Sequence, residues 1–396
     1  MRLIHTFTIC VFSLISVIHY SLAQIAGEQI RGERLMVRVL AASDDLDLDR
    51  RSLFYPFPFA PTDSIASVYR QYLARTSLRL DGMSEIEAFR LALAWVGTRW
   101  RHHSDNTVSA SVSTLDILER AQSGERFSCV EYARVLVDVL TAYGYPARMV
   151  GLSKTDIETR PRGARHVAVE AWSTTYHKWV FLDPQWGIYP CRDGEWLNAY
   201  ELVTAINSGK LSTIDFLTSD EVCTYYRVSP YEQVERYRLF ISAYTGYLDY
   251  PYVYENKIVL MMYICQDSLP LPLAFQGMPM SGIFYTRAWQ KAYGVLDQIH
   301  TTFTYTGTYH PQRGFIRPEY TIEVATPLPW IRHYQIRLDG KEWTTLEGSR
   351  YRWQLHRGIN TIEVRAVGYN DTYSRTGMVK VFWGLAEELD RLSSSQ

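Results

Sequence analysis

Gly124-Glu125-Arg126-Phe127-Ser128-Cys129-Val130-Glu131 is the stretch on which the reading of this chain turns. Ser128 and Glu131 have the spacing of a capping box, which predicts a helix capped by Ser128 with Cys129 as its first residue. Val130, Ala133, Leu136, Val137 and Leu140 give that helix an apolar stripe, and it stops before Gly144. A thiol in the first turn lies at the positive end of the helix dipole. The thiolate, the form a cysteine nucleophile uses, is favoured there. The same segment suits a buried core cysteine equally well, so a function for Cys129 requires a base elsewhere.

Working outward, residues 83–100 keep helical spacing through Ile86, Phe89, Leu91, Leu93 and Val96, and a second helix is predicted over 115–121. Three β-like runs follow the cysteine helix, at 147–152, 166–172 and 178–182. This order predicts an α+β fold in which an antiparallel sheet backs one buried helix. The base is sought on that sheet. A hairpin turning between Thr174 and Thr175 sets His166 directly opposite Asp183, about 4.5–5.5 Å apart at Cβ and on one face. A slip of one residue would put them on opposite faces. In the expected pairing Asp183 fixes the imidazole tautomer and the other ring nitrogen serves the thiol. Each residue also has a plainer reading. A histidine at a strand end is commonly a surface group, and an aspartate before Pro184 commonly starts a turn.

With Gly144-Tyr145-Pro146-Ala147-Arg148, the cysteine segment resembles the transglutaminase-like core domain, whose pattern is a cysteine, a helix and then Gly-Ile-Pro-Ala-Arg. His166, Glu170 and Trp172, followed by Trp179 and Asp183-Pro184, resemble that family's His-x-x-x-Glu-x-Trp, Trp, Asp-Pro series. The resemblance covers residues 83–210. It implies a papain-like, transglutaminase-like α+β core with Cys129 as nucleophile, His166 as base and Asp183 as its orienter. Two positions depart from the pattern: Phe127 stands where the family often has glycine, and Tyr145 where it has isoleucine. The chemistry implied is attack of the thiolate on a carboxamide or peptide carbonyl, giving a thioester that water or an amine resolves. An oxyanion hole is then required. The Cys129 backbone N–H is one donor, and by analogy an upstream tryptophan, Trp95 or Trp100, is the other. Both tryptophans also suit simple helix packing. Three functions follow: a hydrolase acting on polypeptide or cell-wall peptide, an acyltransferase that crosslinks glutamine to amines, and an idle module that binds polypeptide or glycan. Abundant water favours hydrolysis.

The rest of the chain bounds these readings. Among 396 residues, 41 basic and 42 acidic side chains leave a net charge of -1, which argues against nucleic acid or an anionic membrane as partner. The 29 tyrosines suit β-sheet packing and also carbohydrate-facing or peptide-facing surfaces. Arg2, the apolar run 3–18 and Ser21-Leu22-Ala23 predict a signal peptide over 1–23, hence a secreted, periplasmic or cell-surface protein. No later apolar run is long enough to span a membrane. Cleavage would leave Cys129, Cys191, Cys223 and Cys265; if Cys129 is a nucleophile, at most one disulfide forms among the other three. Asp45, Asp47 and Asp49 are spaced as in a calcium loop, but Arg50 and Pro56 replace its glycine and glutamate, so a solvated loop is expected. His102 and His103 are adjacent and point apart, so no metal is assigned, nor any cofactor. The expected domains are an N-terminal region at 24–82, a catalytic domain at 83–214 with a further helix over 193–208, and a partly β connection at 215–317 with a strand at 258–264. A β-sandwich at 318–384 that resembles immunoglobulin or fibronectin domains follows, with Asp339-Gly340 as a hairpin turn, and then a polar tail at 385–396. The oligomeric state is left open.

Overall fold

The structure, a computed structural model, describes residues 34–43, 46–47, 59, 62–159, 163–255, 257–272, 274–275, 278–279 and 282–394. The expected signal peptide and most of the acidic run at 44–49 lie outside these residues. Two strands, β1 (Met36–Ala42) and β2 (Leu46–Asp47), come first. Four helices follow: α1 (Thr62–Leu73), α2 (Glu85–Gly97), α3 (Thr114–Gln122) and α4 (Cys129–Ala142). Ser84, Ser113 and Ser128 cap the last three, each hydroxyl accepting a backbone N–H of the first turn. Gly144, at φ 81°, ends α4 in the left-handed conformation that glycine adopts without strain.

Next come β3 (Ala147–Ser153), β4 (Arg165–Ser173), β5 (Lys178–Leu182), β6 (Ile188–Arg192) and β7 (Glu195–Trp196). The chain continues through α5 (Ala199–Asn207), β8 (Asp215–Thr218), α6 (Asp220–Tyr226), α7 (Pro230–Ile241), β9 (Tyr247–Tyr254) and β10 (Lys257–Ile264). A short ribbon of β11 (Ala274–Phe275) and β12 (Met278–Pro279) precedes β13 (Ile283–Thr286). The predicted helix over 193–208 is shorter than expected. Asp193 and Gly194 take φ of 53° and 83° and turn the chain between β6 and β7, so the helix starts only after its cap, Asn198.

The main sheet runs β13-β10-β9-β3-β4-β5 and is antiparallel except between β10 and β13. Its inner strands are buried on both faces. Val167, Val169 and Ala171 of β4 join the core under α4, whereas Ala168 of β4 and Phe181 of β5 join a second core with α5 and α7. Half of this sheet comes from residues 247–286, so the expected catalytic domain at 83–214 is too short. The connecting region supplies the strands that continue the sheet beyond β3.

The β4–β5 hairpin turns one residue later than predicted. Its pairs run from Val169 with Leu182 to Ser173 with Lys178. The cause lies outside the hairpin: the buried Glu85 carboxylate, at the start of α2, accepts from the Thr174 and Thr175 backbone N–H groups and from the Ser173 and Thr174 hydroxyls. His177 completes the turn at φ 52°. The two tryptophans of the motif are a cross-strand pair here, Trp172 edge-on to Trp179 at 5.7 Å. Arg148 and Glu170 also face each other across β3 and β4 and form a fully buried ion pair. Glu170 further accepts from Ala199 N–H and the Tyr293 hydroxyl, tying β4 to α5 and to the segment before the second domain.

That second domain is a β-sandwich. Its strands are β14 (Ile299–Tyr305), a ribbon of β15 (Thr308–His310) and β16 (Gly314–Arg317), then β17 (Glu319–Ala325), β18 (Ile331–Leu338), β19 (Thr344–Leu346), β20 (Arg350–Gln354), β21 (Gly358–Gly368) and β22 (Gly377–Gly384). One sheet has the order β1-β22-β21-β18-β19, the other β2-β14-β17-β20. Ile322, Val324 and Trp353 of the second sheet and Val364 and Val379 of the first share one core. Asp339 and Gly340 both take positive φ, as a primed turn requires. The sandwich is larger than the expected 318–384. It takes β14 from the connecting region and β1 and β2 from the N-terminal region, because the edges of its sheets are completed by strands from the start of the chain. The expected polar tail is helical over α8 (Ala386–Ser394), where Glu388 accepts the Leu385 N–H and Leu389 is buried.

Candidate active site

Cys129 is the first residue of α4, and the expected capping box is present at Ser128 and Glu131. Glu131 is fully buried and does more than cap: its carboxylate also accepts the Val108 N–H, while the Asn106 carbonyl accepts the Ser128 N–H. The loop 101–108 is thereby fastened beside the cysteine, with His103 N–H donating to the Phe127 carbonyl. Phe127, at the family's glycine position, is fully buried edge-on to Trp100.

The thiol of Cys129 has the His166 ring as hydrogen-bond partner. His166 Nε2 lies 2.7 Å from Asp183 Oδ2, which leaves Nδ1 as the nitrogen available to sulfur. The observed register does not put the two residues directly opposite. Continued one step, it sets Asp183 beside Ala168, diagonal to His166 and on the same face, so the carboxylate still reaches the ring. Asp183 Oδ1 accepts the Trp186 N–H at 3.4 Å. Asp183 is fully buried and His166 is 2% exposed.

This burial decides the electrostatics. It disfavours both charged forms, yet it is outweighed. Burial raises the Cys129 pKa, but the hydrogen bond and charge of His166 bring it below the ordinary thiol value. Burial lowers the His166 pKa, but the adjacent Asp183 carboxylate and the Cys129 sulfur push it up to about 10. The two shifts describe one coupled group, and both favour the thiolate and imidazolium form over what burial alone would leave. Cys129, Cys191, Cys223 and Cys265 are all free, so no bridge ties up the sulfur. Burial pushes the Cys265 thiol up and the Cys191 thiol up to about 12, which sets Cys129 apart.

Several groups at this site had no local sequence signal. Phe240 of α7 stands edge-on to the His166 ring at 5.0 Å, and Tyr244 lies 5.9 Å from it. Trp186 packs on Phe240 at 5.0 Å, completing an aromatic cover over the imidazole. Phe240 and Tyr244 come from a helix and turn well downstream of the motif, whereas Trp186 comes just after Asp183-Pro184. Of the oxyanion candidates, Trp100 packs against residues on both sides of Cys129, at 5.6 Å from Phe127 and 4.3 Å from Tyr132. Trp95 lies within α2 under the Arg99 guanidinium. Both indole N–H groups are buried, with no acceptor among the described residues. His102 is within electrostatic reach of His166 and Asp183; burial, and then the His166 charge, lower its pKa. A cavity of about 610 Å³ lies apart from this site, between β6, β8 and α7, and is lined by Tyr189, Trp196, Phe216 and Tyr231.

Residues 74–184 match the sequence model of the transglutaminase-like superfamily, so the chain carries a transglutaminase-like domain there. Among solved structures, a candidate cysteine protease from Cytophaga hutchinsonii is similar at 13% identity and a TM-score of 0.24, over 44% of this chain and 53% of that one. The chain thus spans about half the length of that protein. Red sea bream transglutaminase is similar at 11% identity and a TM-score of 0.21, over 75% of this chain and 68% of that one. No curated protein matches the chain.

Proposed function

We propose that this protein is an exported cysteine hydrolase that cleaves peptide or carboxamide bonds through a thioester on Cys129. One observation carries the reading: a thiol at a helix N-terminus with an imidazole as partner, whose far nitrogen is held 2.7 Å from a buried carboxylate. In the first step the Cys129 thiolate forms a bond to the substrate carbonyl carbon, and the carbonyl electron pair moves onto oxygen. The Cys129 backbone N–H, at the unpaired end of α4, and the Trp100 indole N–H are the proposed donors to that oxygen. The C–N bond then breaks, and the His166 imidazolium gives its proton to the leaving amine. In the second step neutral His166 takes a proton from water as the water attacks the thioester, and the acid product leaves with the thiolate restored. Asp183 holds the ring and its charge through both steps. The export assignment rests on the signal-like sequence at 1–23 and the substrate class on the chemistry of the triad.

The test is an assay of the full chain, Cys129→Ala and His166→Ala on a peptide library, with and without an added primary amine. Hydrolysed product from the unaltered protein and none from either variant supports the reading. A product carrying the amine would replace hydrolysis with acyl transfer. Undiminished turnover by Cys129→Ala would overturn the nucleophile assignment.

A further inference from the structure

Beside the nucleophile lies a charged pair that the chemistry above does not use. Arg165 precedes His166 on β4, and its guanidinium is bound by both carboxylate oxygens of Asp249 on β9. The two strands are not neighbours: β3 runs between them. Asp249 is paired with Gly151 of β3, and Gly151 with Val167 of β4. The carboxylate lies flat over that glycine, for a Cβ on Gly151 would stand 2.0 Å from Asp249 Oδ2. Glycine in a strand interior weakens the strand and often marks a close approach. Here it opens the gap through which Asp249, 3% exposed, reaches across β3 to Arg165. A carboxylate this deeply buried is costly unless well paired, so three strands are arranged around the placement of one guanidinium.

The Arg165 side chain keeps 30% of its surface exposed and lies within electrostatic reach of the Cys129 sulfur. Other cations flank the same cleft. Lys154 Nζ stands 5.2 Å over the ring of Tyr244, which itself senses the Cys129 charge. On the loop side Arg126 donates to the His102 carbonyl; the His102 ring itself, with its pKa lowered, adds no positive charge near neutrality. The acids here, Asp183 and Asp249, are each engaged by a cationic partner. Those pairs cancel, which leaves Lys154 and Arg126 as the other charged side chains named around the site.

We propose that Arg165, positioned by Asp249 across Gly151, is a specificity-determining residue that binds a carboxylate of the acyl donor next to the carbonyl attacked by Cys129. The substrate class is then an acidic peptide. The guanidinium stays charged and partly exposed and so attracts a carboxylate, and Lys154 adds long-range attraction. This inference rests on the proposed function and names the substrate of that site.

The experiment uses the full chain and pairs of peptides from the turned-over set, identical except for Glu or Gln beside the reacting residue. The readout is the ratio of their kcat/KM values, which does not depend on the fraction of protein folded. The unaltered protein is expected to prefer the acidic peptide about tenfold or more through KM, with the preference shrinking as ionic strength rises. Arg165→Gln is expected to bring the ratio to near one, and Arg165→Lys to retain part of it. A ratio near one in the unaltered protein, or a full preference surviving in Arg165→Gln, overturns the proposal while leaving Cys129 catalysis intact. Turnover of both peptides by Cys129→Ala would instead undo the catalytic reading.

Discussion

At the scale of single residues, the site is an electrostatic bargain between two groups that burial would each keep neutral. The direction of each shift gives its pH dependence. Cys129 has a lowered pKa, so it becomes thiolate at lower pH than a free thiol, near 8.5. His166 has a raised pKa, so it stays protonated until the pH climbs through about 10. The rise of Cys129 alkylation by iodoacetamide with pH is therefore expected at lower pH than that of a free thiol. Turnover, which needs the imidazolium to protonate the leaving amine, should fail as pH rises through about 10. Asp183→Asn keeps the shape and removes the charge. It should move the alkylation profile toward that of a free thiol and lower kcat by about 10³–10⁴-fold. Stopped-flow alkylation and a pH–rate series read both effects, and an alkylation curve in the unaltered protein that tracks free cysteine would refute the ion pair. The helix cap was legible from Ser128 and Glu131 alone, because capping depends on residues three apart. The aromatic cover was not, because nothing local to Phe240 or Tyr244 says that the chain returns over His166.

At the scale of elements, the β4–β5 hairpin shows where local reading stops. Alternation and bulk gave both strands and the face shared by His166 and Asp183. The turn came one residue late because its backbone donors are collected by Glu85, on a helix far back in the chain. Turn residues alone could not reveal that partner. The same bond set makes a prediction. Glu85→Ala leaves the buried Ser173 hydroxyl and the more exposed Thr174 and Thr175 donors without their acceptor and should cost about 1–3 kcal/mol of stability, measured by urea unfolding. It should also lower kcat, since the hairpin carries the imidazole at one end and the carboxylate at the other. A variant with unchanged midpoint and unchanged rate would show that the carboxylate does not hold the turn. The helix predicted from 193 failed for a related reason. Its first residues are spent on the Asp193-Gly194 turn, and only the pair of Asn198 and Glu201 marks the true start.

At the scale of the whole molecule, the division into segments was harder to read than the segments themselves. The sandwich after residue 318 was expected from the sequence, whereas β9 was not. Its inward residues are tyrosines such as Tyr247 and Tyr250, fully buried but ambiguous in a composition full of tyrosine. Nothing at the start of the chain names the sheet that β1 joins. The topology makes this testable. Residues 299–394 expressed alone should aggregate or unfold without cooperativity, because the edge of β22 is bare. The same fragment with residues 34–47 joined through a flexible linker should unfold in one cooperative transition by circular dichroism. Equal behaviour of the two would mean that β1 and β2 are dispensable.

The pairing of Met36 with Gly384 has a temporal side. A ribosome delivers β1 long before β22, so the first strand waits for its neighbour while all the residues between them are made. During that interval an unclaimed strand edge is open to chaperones, to proteases and to sister chains. Premature termination before β22 would thus leave β1 unpaired, even though every intervening residue had been made.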